Sequence, residues 1–390
     1  MTVLLILSAL LIISYISLLL YYRSAWKQIP VFQPATHNPQ PITHISVIIP
    51  ARNEADNLPS LLESISKQSY PANLFEVLVI DDHSTDHTAA IIKNYAAPNI
   101  RIISLNEHLE GSEINSYKKK AIEIGIGRSN GSLIVTTDAD CYLPENWLKT
   151  IAAFYEKYKP AFIAAPVSIN CNSRFIEIFQ ALDFMTLQGI TGACVHKKMH
   201  SMCNGANMAY EKTAFVEVNG FSGIDNIASG DDMLLMHKIY KRFPERVMFL
   251  KSTEVIVQTA AVKTIAEFFN QRIRWASKAD KYDDKKILPV LLLVYLLNVL
   301  LLVLPVVSLF RNVQFSMFNI QYPIFGLWLI LLLLKTAAEL FFLFPVSKFF
   351  GKQSLLFLFP LMQPFHIIYT IIAGWLGKFG SYKWKERKVK

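Results

Sequence analysis

Two acidic side chains, Asp138 and Asp140, end an apolar run in a way that a strand buried on both faces should not tolerate. The run 132–134 leads into VTTDADC at 135–141. Because residues two apart in an extended segment point to the same side, both carboxylates can face one point. Two hard oxygen donors suit Mg²⁺ or Mn²⁺, which bind through one or two carboxylates together with ligand phosphates. The pair therefore predicts a metal site, although an isolated D-x-D sequence also fits an exposed turn.

Acidic pairs recur at two further places in the chain. Asp81-Asp82 follows the apolar run FEVLVI at 75–80, and Asp231-Asp232 opens a helical pattern. One acid is enough to cap a helix N-terminus, so the second acid of the latter pair is available to take a proton from an incoming hydroxyl. The segment QRIRW at 271–275 stands just before a long apolar run. Its spacing fits a functional element and also fits an amphipathic interfacial helix with a Trp anchor.

Short β-branched runs alternate with helical patterns through the middle of the chain. Strands are predicted at 44–49, 75–80, 100–104 and 133–137. This alternation predicts an α/β domain on a mostly parallel sheet, and such sheets bind ligands beyond the carboxyl ends of their strands. Three of the strands end in polar sequence, and acids gathered at one edge repel one another unless a cation or a donor-rich ligand lies among them. The chain has no GxGxxG after its first strand and no GxxxxGK[ST], which argues against a dinucleotide-binding dehydrogenase and a P-loop NTPase.

Both ends of the chain are strongly apolar. Residues 3–22 form an uncharged stretch that is long enough to cross a bilayer and that we expect to be a retained anchor. Three further segments can enter a bilayer, at 287–310, about 322–345 and about 354–376. The net charge of +9 lies mostly beside these segments, which favours membrane lipids rather than nucleic acid as a partner. Lys335 and Glu339, four residues apart in the middle segment, are expected to pair or to face other helices.

These patterns predict five parts of the chain. We expect an N-terminal transmembrane anchor at 1–23, a linker at 24–43, the α/β domain at 44–280, a membrane region of two to three hydrophobic segments at 281–377, and a basic cytoplasmic tail at 378–390. A tail on the same side as the α/β domain requires an even number of crossings between them. Because Pro360 and Pro364 interrupt the last segment, it is a candidate for a re-entrant or interfacial helix.

The ordered motifs of residues 44–280 resemble those of the family 2 glycosyltransferases, the inverting nucleotide-sugar enzymes with a GT-A fold. The matching residues are VIIPARNE at 47–54, VIDDHSTD at 79–86, Lys118, DAD at 138–140, NGANM at 204–208, Asp231-Asp232 and Gln271, Arg274 and Trp275 of the QxxRW motif. Lys118 is preceded by Tyr117 where the family has glycine, and it stands in a run of three lysines. The apolar segments after QxxRW resemble the membrane-bound branch of the family.

The resemblance implies a role for each matched residue. On the donor side it implies contacts to the nucleotide-sugar from Pro50, Asn53, Glu54, Asp82, Lys118 and Asp138. It makes Asp140, with Asp138, the ligands of Mg²⁺ or Mn²⁺. It makes Asp232 the general base beside Asp231, Arg274 a partner of the leaving diphosphate, and Asn207, Gln271 and Trp275 acceptor-side residues.

The resemblance thus implies a membrane enzyme that transfers a sugar, with inversion and with a metal, from a nucleotide-sugar donor to a lipid-linked or glycan acceptor. We expect a UDP-linked donor, a location in the bacterial inner membrane, a cytoplasmic catalytic domain and a role in cell-envelope polysaccharide biosynthesis. A processive β-polysaccharide synthase with the same catalytic residues is the alternative, and a non-catalytic assembly or transport subunit is a weaker one. The identity of the sugar, the acceptor and the oligomeric state stay open at this point.

Overall fold

The structure is a computed structural model that describes residues 2–34, 41–95, 97–108, 116–199, 202–227, 229–277, 285–310, 324–380, 382–384 and 387–389. It contains two compact units, each assembled from separate stretches of the chain. The sheet unit comprises Ile29–Cys171 and Thr191–Ala261, and the helical unit comprises Met1–Gln28, Asn172–Ile190 and Val262–Lys390. This division differs from the single continuous domain at 44–280 that the sequence predicts.

The strands of the sheet unit are, in chain order, β1 (Ile45–Ala51), β2 (Phe75–Asp81), β3 (Ile100–Ser104), β4 (Leu133–Thr136), β5 (Cys141–Tyr142), β6 (Phe162–Ala164), β7 (Val167–Asn170), β8 (Met208–Glu211), β9 (Val247–Phe249) and β10 (Val257–Ala260). Seven of them form one sheet in the order β3-β2-β1-β4-β8-β6-β9, and β5-β10-β7 form a second. In the large sheet, neighbouring strands are parallel except where β8 pairs with β4 and β6. The predicted mostly parallel α/β sheet is therefore confirmed.

The helices of the described chain are α1 (Thr2–Gln28), α2 (Leu58–Ser66), α3 (Thr88–Asn94), α4 (Tyr117–Gly127), α5 (Trp147–Tyr158), α6 (Phe175–His196), α7 (Lys212–Glu217), α8 (Met233–Arg242), α9 (Ile265–Ala276), α10 (Ile287–Phe310), α11 (Ile324–Phe350) and α12 (Phe359–Phe379). Their apolar spacing explains their burial in the sheet unit. In α2, for example, Leu58, Leu61, Leu62 and Ile65 recur at helical spacing and are all buried.

The antiparallel strand β8 brings a late part of the chain to the functional edge of the sheet. Met208, its first residue, is paired with Thr136, the last residue of β4. Because β8 enters the sheet where the parallel strands end, residues 204–207 lie beside the segment that carries Asp138. The parallel strands and this one antiparallel neighbour thus converge at a single edge.

The described residues include five helices that are long and apolar enough to cross a membrane, among them α1, α10, α11 and α12 of the helical unit. The apolar segments predicted at both ends of the chain are therefore helical. Helix α1 continues to Gln28, so the first residues of the predicted linker belong to it. The reason is that the first proline of the linker stands only at Pro30, and no earlier residue after the anchor forbids helix.

The fifth candidate, α6, is a helix that the sequence places inside the α/β domain. It contains Glu177 and Asp183, and 78% of the residues in its most apolar stretch are buried. Strands β6 and β8 lie before and after it in the chain and are hydrogen-bonded neighbours in one sheet. A single membrane crossing between them would place the two strands on opposite sides, so α6 does not cross.

A charged network lies among the apolar helices of the helical unit. The Nζ of Lys335 is 2.7 Å from Oε1 of Glu339, which confirms the pairing predicted from their spacing. Glu339 also accepts from the Tyr15 hydroxyl at 2.5 Å and from the Gln363 amide at 2.6 Å. Lys335 donates to the Gln363 carbonyl oxygen at 2.7 Å, so the network closes on itself across α1, α11 and α12. Such closure is what allows ionised groups to be buried in an apolar bundle.

Candidate active site at the carboxyl edge of the sheet

The loops that follow β1 and β2 are joined by hydrogen bonds. Asn53 and His83 both have positive φ, at 52° and 55°. Asn53 accepts from the Thr85 amide at 2.8 Å through its side chain, and its own amide donates to Ser84 Oγ at 3.0 Å. The side-chain oxygen of Asn53 thus orders the two loops, and strained residues of this kind are common at functional sites.

Asp82 is the charged centre of these two loops. Its amide donates to the Ala51 carbonyl at 2.8 Å, which fixes it to the end of β1. Its Oδ1 lies 2.8 Å from Nδ1 of His83 and 3.8 Å from Nη1 of Arg52. The side chain is only 6% exposed. Pro50 is paired with Ile80 near the end of β1, and the Glu54 amide donates to Thr88 Oγ1 at 2.8 Å, so both residues lie where the segments after β1 and β2 meet.

Lys118 lies at the centre of the second acidic group. Its Nζ is 2.7 Å from Oδ1 of Asp138 and 3.2 Å from Oδ2 of Asp231. Burial alone would lower the pKa of this lysine, but the carboxylates of Asp138, Asp231 and Asp232 together raise it above its ordinary value. Lys118 therefore stays charged and holds two of the predicted motifs together, although they are far apart in the sequence.

The run of three lysines resolves into three different roles. Lys118 faces the acidic group, whereas Lys119 is 2% exposed and donates to the carbonyls of Ile224, Ile227 and Ser229. Lys120 pairs with Glu123 on the helix surface at 3.0 Å. Lys119 thus orders the segment that leads to Asp231. The sequence predicts no role for Lys119, and its position in the run of three lysines is the one feature that could have indicated a role.

Asp232 caps α8 and also contacts the chain before β8. Its Oδ1 accepts from the Met233 amide at 2.7 Å, and its Oδ2 accepts from the Gly205 amide at 3.3 Å. A Cβ on residue 205 would stand 3.0 Å from Oδ2 of Asp231 and 3.3 Å from Nζ of Lys118. The backbone of Gly205 therefore approaches the acids as closely as a residue without a side chain allows.

Asp140 lies at the exposed side of the group. Thr259 Oγ1 donates to its Oδ2 at 3.4 Å, and Cys141 follows it in the chain. Burial is the main cause that raises the pKa of the Cys141 thiol, and the carboxylates of Asp140 and Asp138 raise it further, so the thiol stays neutral and is a poor metal ligand.

No group of three or more His, Cys, Asp or Glu side chains that could hold a metal occurs within the described residues. Two carboxylates completed by ligand phosphates are nevertheless the set that Mg²⁺ and Mn²⁺ accept, so Asp138 and Asp140 fit such an ion.

Asn207 is fully buried, and its amide is saturated by protein groups. Its Nδ2 donates to the carbonyls of Pro166 and Val255, at 2.7 Å each, and its Oδ1 accepts from Trp147 Nε1 at 2.9 Å. Through these three hydrogen bonds, the Asn207 side chain holds the segment before β8 in place. This arrangement corrects the expectation of an acceptor-facing side chain.

The QxxRW residues lie in the helical unit, on α9. This helix begins with a capping box in which Thr264 and Glu267 bond to each other's backbone amides. Gln271, Arg274 and Trp275 are partly exposed, whereas Arg272, which the motif leaves unspecified, is buried.

Two family models match this chain. "Glycosyl transferase family 2" matches residues 46–218, and "Glycosyl transferase family group 2" matches residues 133–343, which is more than half of the 390 residues. The chain belongs to the family 2 glycosyltransferases. Both matched ranges include Asp138 and Asp140, the first also includes Lys118, and the second also includes Asp231 and Asp232. Family membership therefore rests on the segments that form the site.

Individual relatives match shorter parts of this family 2 chain. Glycosyltransferase AglE of Haloferax volcanii is 35% identical over 107 residues, which cover 27% of this chain and 33% of that protein. Poly(ribitol-phosphate) beta-N-acetylglucosaminyltransferase TarS of Staphylococcus aureus is 32% identical over 114 residues, which cover 29% of this chain and 19% of that protein. The matches thus span about a third or less of these relatives.

A solved structure resembles this family 2 chain over nearly its whole length. It is the mannosyltransferase PcManGT from Pyrobaculum calidifontis in complex with GDP-Man and Mn²⁺. The likeness has a TM-score of 0.53 at 17% identity and covers 96% of this chain and 98% of that chain. At this identity the likeness concerns the fold alone, and it confirms the predicted GT-A fold.

Proposed function

We propose that the protein is a membrane glycosyltransferase that moves one sugar from a nucleotide-sugar to a lipid-linked acceptor at the membrane surface. The observation that carries the proposal is the acidic group around Lys118, at the carboxyl edge of the sheet, in a chain of family 2. Three carboxylates, from Asp138, Asp231 and Asp232, surround this one ammonium group. A site with excess negative charge suits a metal ion accompanied by a diphosphate, and a hydroxyl that must lose a proton.

On the donor side, Asp82 with Asn53 and Glu54 would hold the nucleoside, and Lys118 with Asp138 would hold the diphosphate end. Asp138 and Asp140 would bind Mg²⁺ or Mn²⁺, which would supply positive charge for the leaving diphosphate. Asn207 would act by fixing the position of Gly205. The solved relative with GDP-Man and Mn²⁺ is consistent with a donor and an ion of these classes.

On the acceptor side, Asp232 is the proposed base. Asp231 is buried and paired with Lys118, whereas Asp232 is the more exposed member of the pair. The acceptor hydroxyl would give its proton to Asp232 and attack the anomeric carbon from the face opposite the leaving diphosphate, which inverts that centre. Gln271, Arg274 and Trp275 would serve the acceptor and the leaving group.

The lipid-linked acceptor is supported by the apolar helices and by the names of relatives. Among these relatives are the dolichyl-phosphate beta-glucosyltransferase ALG5D of Trichomonas vaginalis and the undecaprenyl-phosphate 4-deoxy-4-formamido-L-arabinose transferase of Proteus mirabilis. We propose that the protein lies in the bacterial inner membrane with the sheet unit on the cytoplasmic side, because Arg23, Lys27, Lys285 and Lys286 flank the apolar helices. A cytoplasmic tail at 378–390 then requires two crossings among α10, α11 and α12.

The test uses the full chain purified in detergent. UDP-glucose, UDP-N-acetylglucosamine and GDP-mannose are each offered with Mg²⁺, with Mn²⁺ and with EDTA, and the released nucleoside diphosphate is measured. Release that depends on the ion and increases when a polyprenyl-phosphate-linked sugar is added supports the proposal, and a product longer by one sugar separates it from a processive synthase. Failure of every donor to release diphosphate would contradict it.

A further inference from the structure

Arg272 is the residue of the QRIRW segment for which the sequence predicts no role. It is 4% exposed and, with Phe268, it is a buried residue of α9. Its neighbours Gln271, Arg274 and Trp275 are more open. An arginine is rarely buried so completely unless its charge is matched, so its surroundings within the helical unit indicate what it does.

The charge of Arg272 is matched by Asp183. Nη2 of Arg272 lies 2.7 Å from Oδ2 of Asp183, and the two side chains are 4% and 5% exposed. The other carboxylate oxygen, Oδ1, accepts from the Tyr369 hydroxyl at 2.5 Å. One arginine, one carboxylate and one phenol therefore join α9 to α6 and α12.

Aromatic rings surround this ionic group. The ring centroid of Phe268 is 5.3 Å from that of Tyr369 and 5.5 Å from that of Phe179, and the rings of Phe179 and Phe365 are 4.6 Å apart. The guanidinium carbon of Arg272 lies 4.8 Å from the Phe268 centroid. Because apolar rings exclude water, the attraction between Arg272 and Asp183 is only weakly screened, and the guanidinium is held in one orientation.

From this fixed position Arg272 contacts two motif residues directly. Its Nη1 donates to Oε1 of Gln271 at 3.0 Å, and its guanidinium lies 4.2 Å from the centroid of the Trp275 ring. The first contact sets the direction of the Gln271 amide, and the second holds the plane of the indole.

We propose that Arg272 is a positioning residue that orients Gln271 and Trp275 for the acceptor, and that Asp183 and Tyr369 hold it in place. The acceptor role of Gln271 and Trp275 rests on the proposed function, whereas the orientation of α9 does not. A purely structural ion pair would stabilise the helical unit without affecting how the acceptor is bound.

The test compares two tyrosines that make the same kind of bond. Tyr369→Phe removes the hydroxyl that holds Asp183, and Tyr15→Phe removes a hydroxyl that donates to Glu339 at the same distance of 2.5 Å in the same unit. Only the first bond leads to Arg272. Each full-length variant is assayed for diphosphate release without acceptor and for transfer to a polyprenyl-phosphate-linked sugar.

Tyr369→Phe is expected to raise the KM for the acceptor about ten-fold, because a small displacement of a substrate-contacting group has an effect of this size. The rate of diphosphate release without acceptor should stay within two-fold of the native rate. Tyr15→Phe is expected to leave both unchanged. Arg272→Lys keeps the charge but loses the planar contacts, and it should reproduce the effect of Tyr369→Phe. An unchanged acceptor KM in both Tyr369→Phe and Arg272→Lys, or an equal rise in Tyr15→Phe, overturns the proposal.

Hydrogen exchange keeps the test independent of the proposed function. The amides of residues 265–276 are followed in the native chain and in both tyrosine variants, which needs no substrate. Faster exchange at 265–276 in Tyr369→Phe alone supports the positioning of α9, even if the native chain transfers no sugar. Equal exchange at these amides in all three proteins overturns it, and if Tyr369→Phe does not fold, Arg272→Lys takes its place.

Discussion

Lys118 in the sheet unit and Lys335 in the helical unit both contact carboxylates, but the balance of charge around them differs. Lys118 faces Asp138, Asp231 and Asp232, and its side chain is 21% exposed. Lys335 has no exposed surface and contacts Glu339, the neutral amide of Gln363 and, at 3.4 Å, Nδ1 of His366. The first group has more negative than positive charge and stands open to solvent, whereas the second is matched and closed.

This difference separates a site from a structural network. Excess carboxylates at an open edge repel one another. They are retained where a ligand supplies positive charge or gives up a proton to one of them. A matched pair among apolar helices has no such need and serves to join helices in one register. The two clusters therefore predict opposite consequences of mutation: loss of activity in the sheet unit and loss of stability in the helical unit.

The largest effect is expected for Asp232→Asn. Asparagine caps a helix about as well as aspartate, so α8 should keep its N-terminus while the proposed base is lost. Transfer should fall by about 10²- to 10⁴-fold, and the affinity for the nucleotide-sugar should stay within two-fold. Turnover is measured with the donor and acceptor from the panel, and donor affinity by calorimetry.

Asp225→Asn serves as the control, because Asp225 is an exposed acid of the segment that precedes the pair. It should transfer at the native rate. Normal turnover by Asp232→Asn would show that Asp232 is not the base, and an equal loss in both variants would show that the assay reports only altered charge.

The second effect concerns stability. Lys335→Met leaves Glu339 as a buried carboxylate without its ammonium partner, which should destabilise the helical unit by about 3–5 kcal/mol. The double variant Lys335→Met/Glu339→Leu removes both charges and should recover most of that loss. Melting temperatures in detergent, measured for the single and the double variant, give the comparison.

Lys67→Met is the matched control for this second effect. Lys67 also pairs with a glutamate four residues away, but both side chains are more than half exposed. No measurable change in melting temperature is expected there, since exposed pairs contribute little. A double variant that melts as low as Lys335→Met would contradict the closed-network interpretation.

Local sequence patterns predicted much of this molecule. The strands β1, β2, β3 and β4 follow from β-branched runs, and the pairing of Lys335 with Glu339 follows from a spacing of four residues on one helix. The polar segments that follow β1, β2 and β4, the last of which carries Asp138, were expected at one edge because parallel strands end there. Lys118 and Asp231 were assigned to the site by the family resemblance, and the carboxylates of Asp138 and Asp231 do contact Lys118. The predictions of the strands, of the Lys335–Glu339 pair and of the shared edge rest on short repeats in the sequence or on the topology of a parallel sheet.

Contacts between residues that are far apart in the sequence could not be predicted from such patterns. Asp183 and Arg272 are 89 residues apart, and no spacing links them. The burial of Asn207 depends on carbonyls of Pro166 and Val255, and a G-A-N motif does not reveal which way its amide faces. Helix α6 combines apolar residues with Glu177 and Asp183, so its composition alone does not indicate that it joins the helical unit for most of its length.

A smaller effect on activity is expected for Gly205→Ala. The added methyl would stand 3.0 Å from Oδ2 of Asp231 and 3.3 Å from Nζ of Lys118, so the acidic group must shift by a few tenths of an ångström. Transfer should fall about ten-fold through this misplacement, with little loss of stability. Gly127→Ala is the control, because a Cβ there meets nothing within 4 Å. Equal activity of both variants would show that the group around Lys118 tolerates displacement and is not a precise catalytic arrangement.

The smallest effect concerns Lys251, a buried lysine of the sheet unit whose pKa is shifted opposite to that of Lys118. Burial lowers the pKa of Lys251 to about 8 from 10.5, and its Nζ lies 3.4 Å from the Ile29 carbonyl oxygen. Because the unfolded chain binds this proton more tightly, the folded state is penalised below pH 8, and the penalty disappears as the pH rises from about 8 towards 10.5. Lys251→Met should therefore stabilise the protein by about 1 kcal/mol at pH 7 and lose this advantage by about pH 10.

Melting temperatures of Lys251→Met and the native chain, measured at pH 7 and near pH 10, test this expectation. Lys212→Met is the matched control, because Lys212 also donates to a backbone carbonyl, that of Ser129 at 2.7 Å. That variant loses a hydrogen bond and should be less stable than the native chain at both pH values. A gain for Lys251→Met that is equal at both pH values would mean that better apolar packing, and not the charge of the lysine, causes it. The contrast between the two lysines would then rest on the acidic group around Lys118 alone, because burial of Lys251 would have no measurable effect on the stability of the protein.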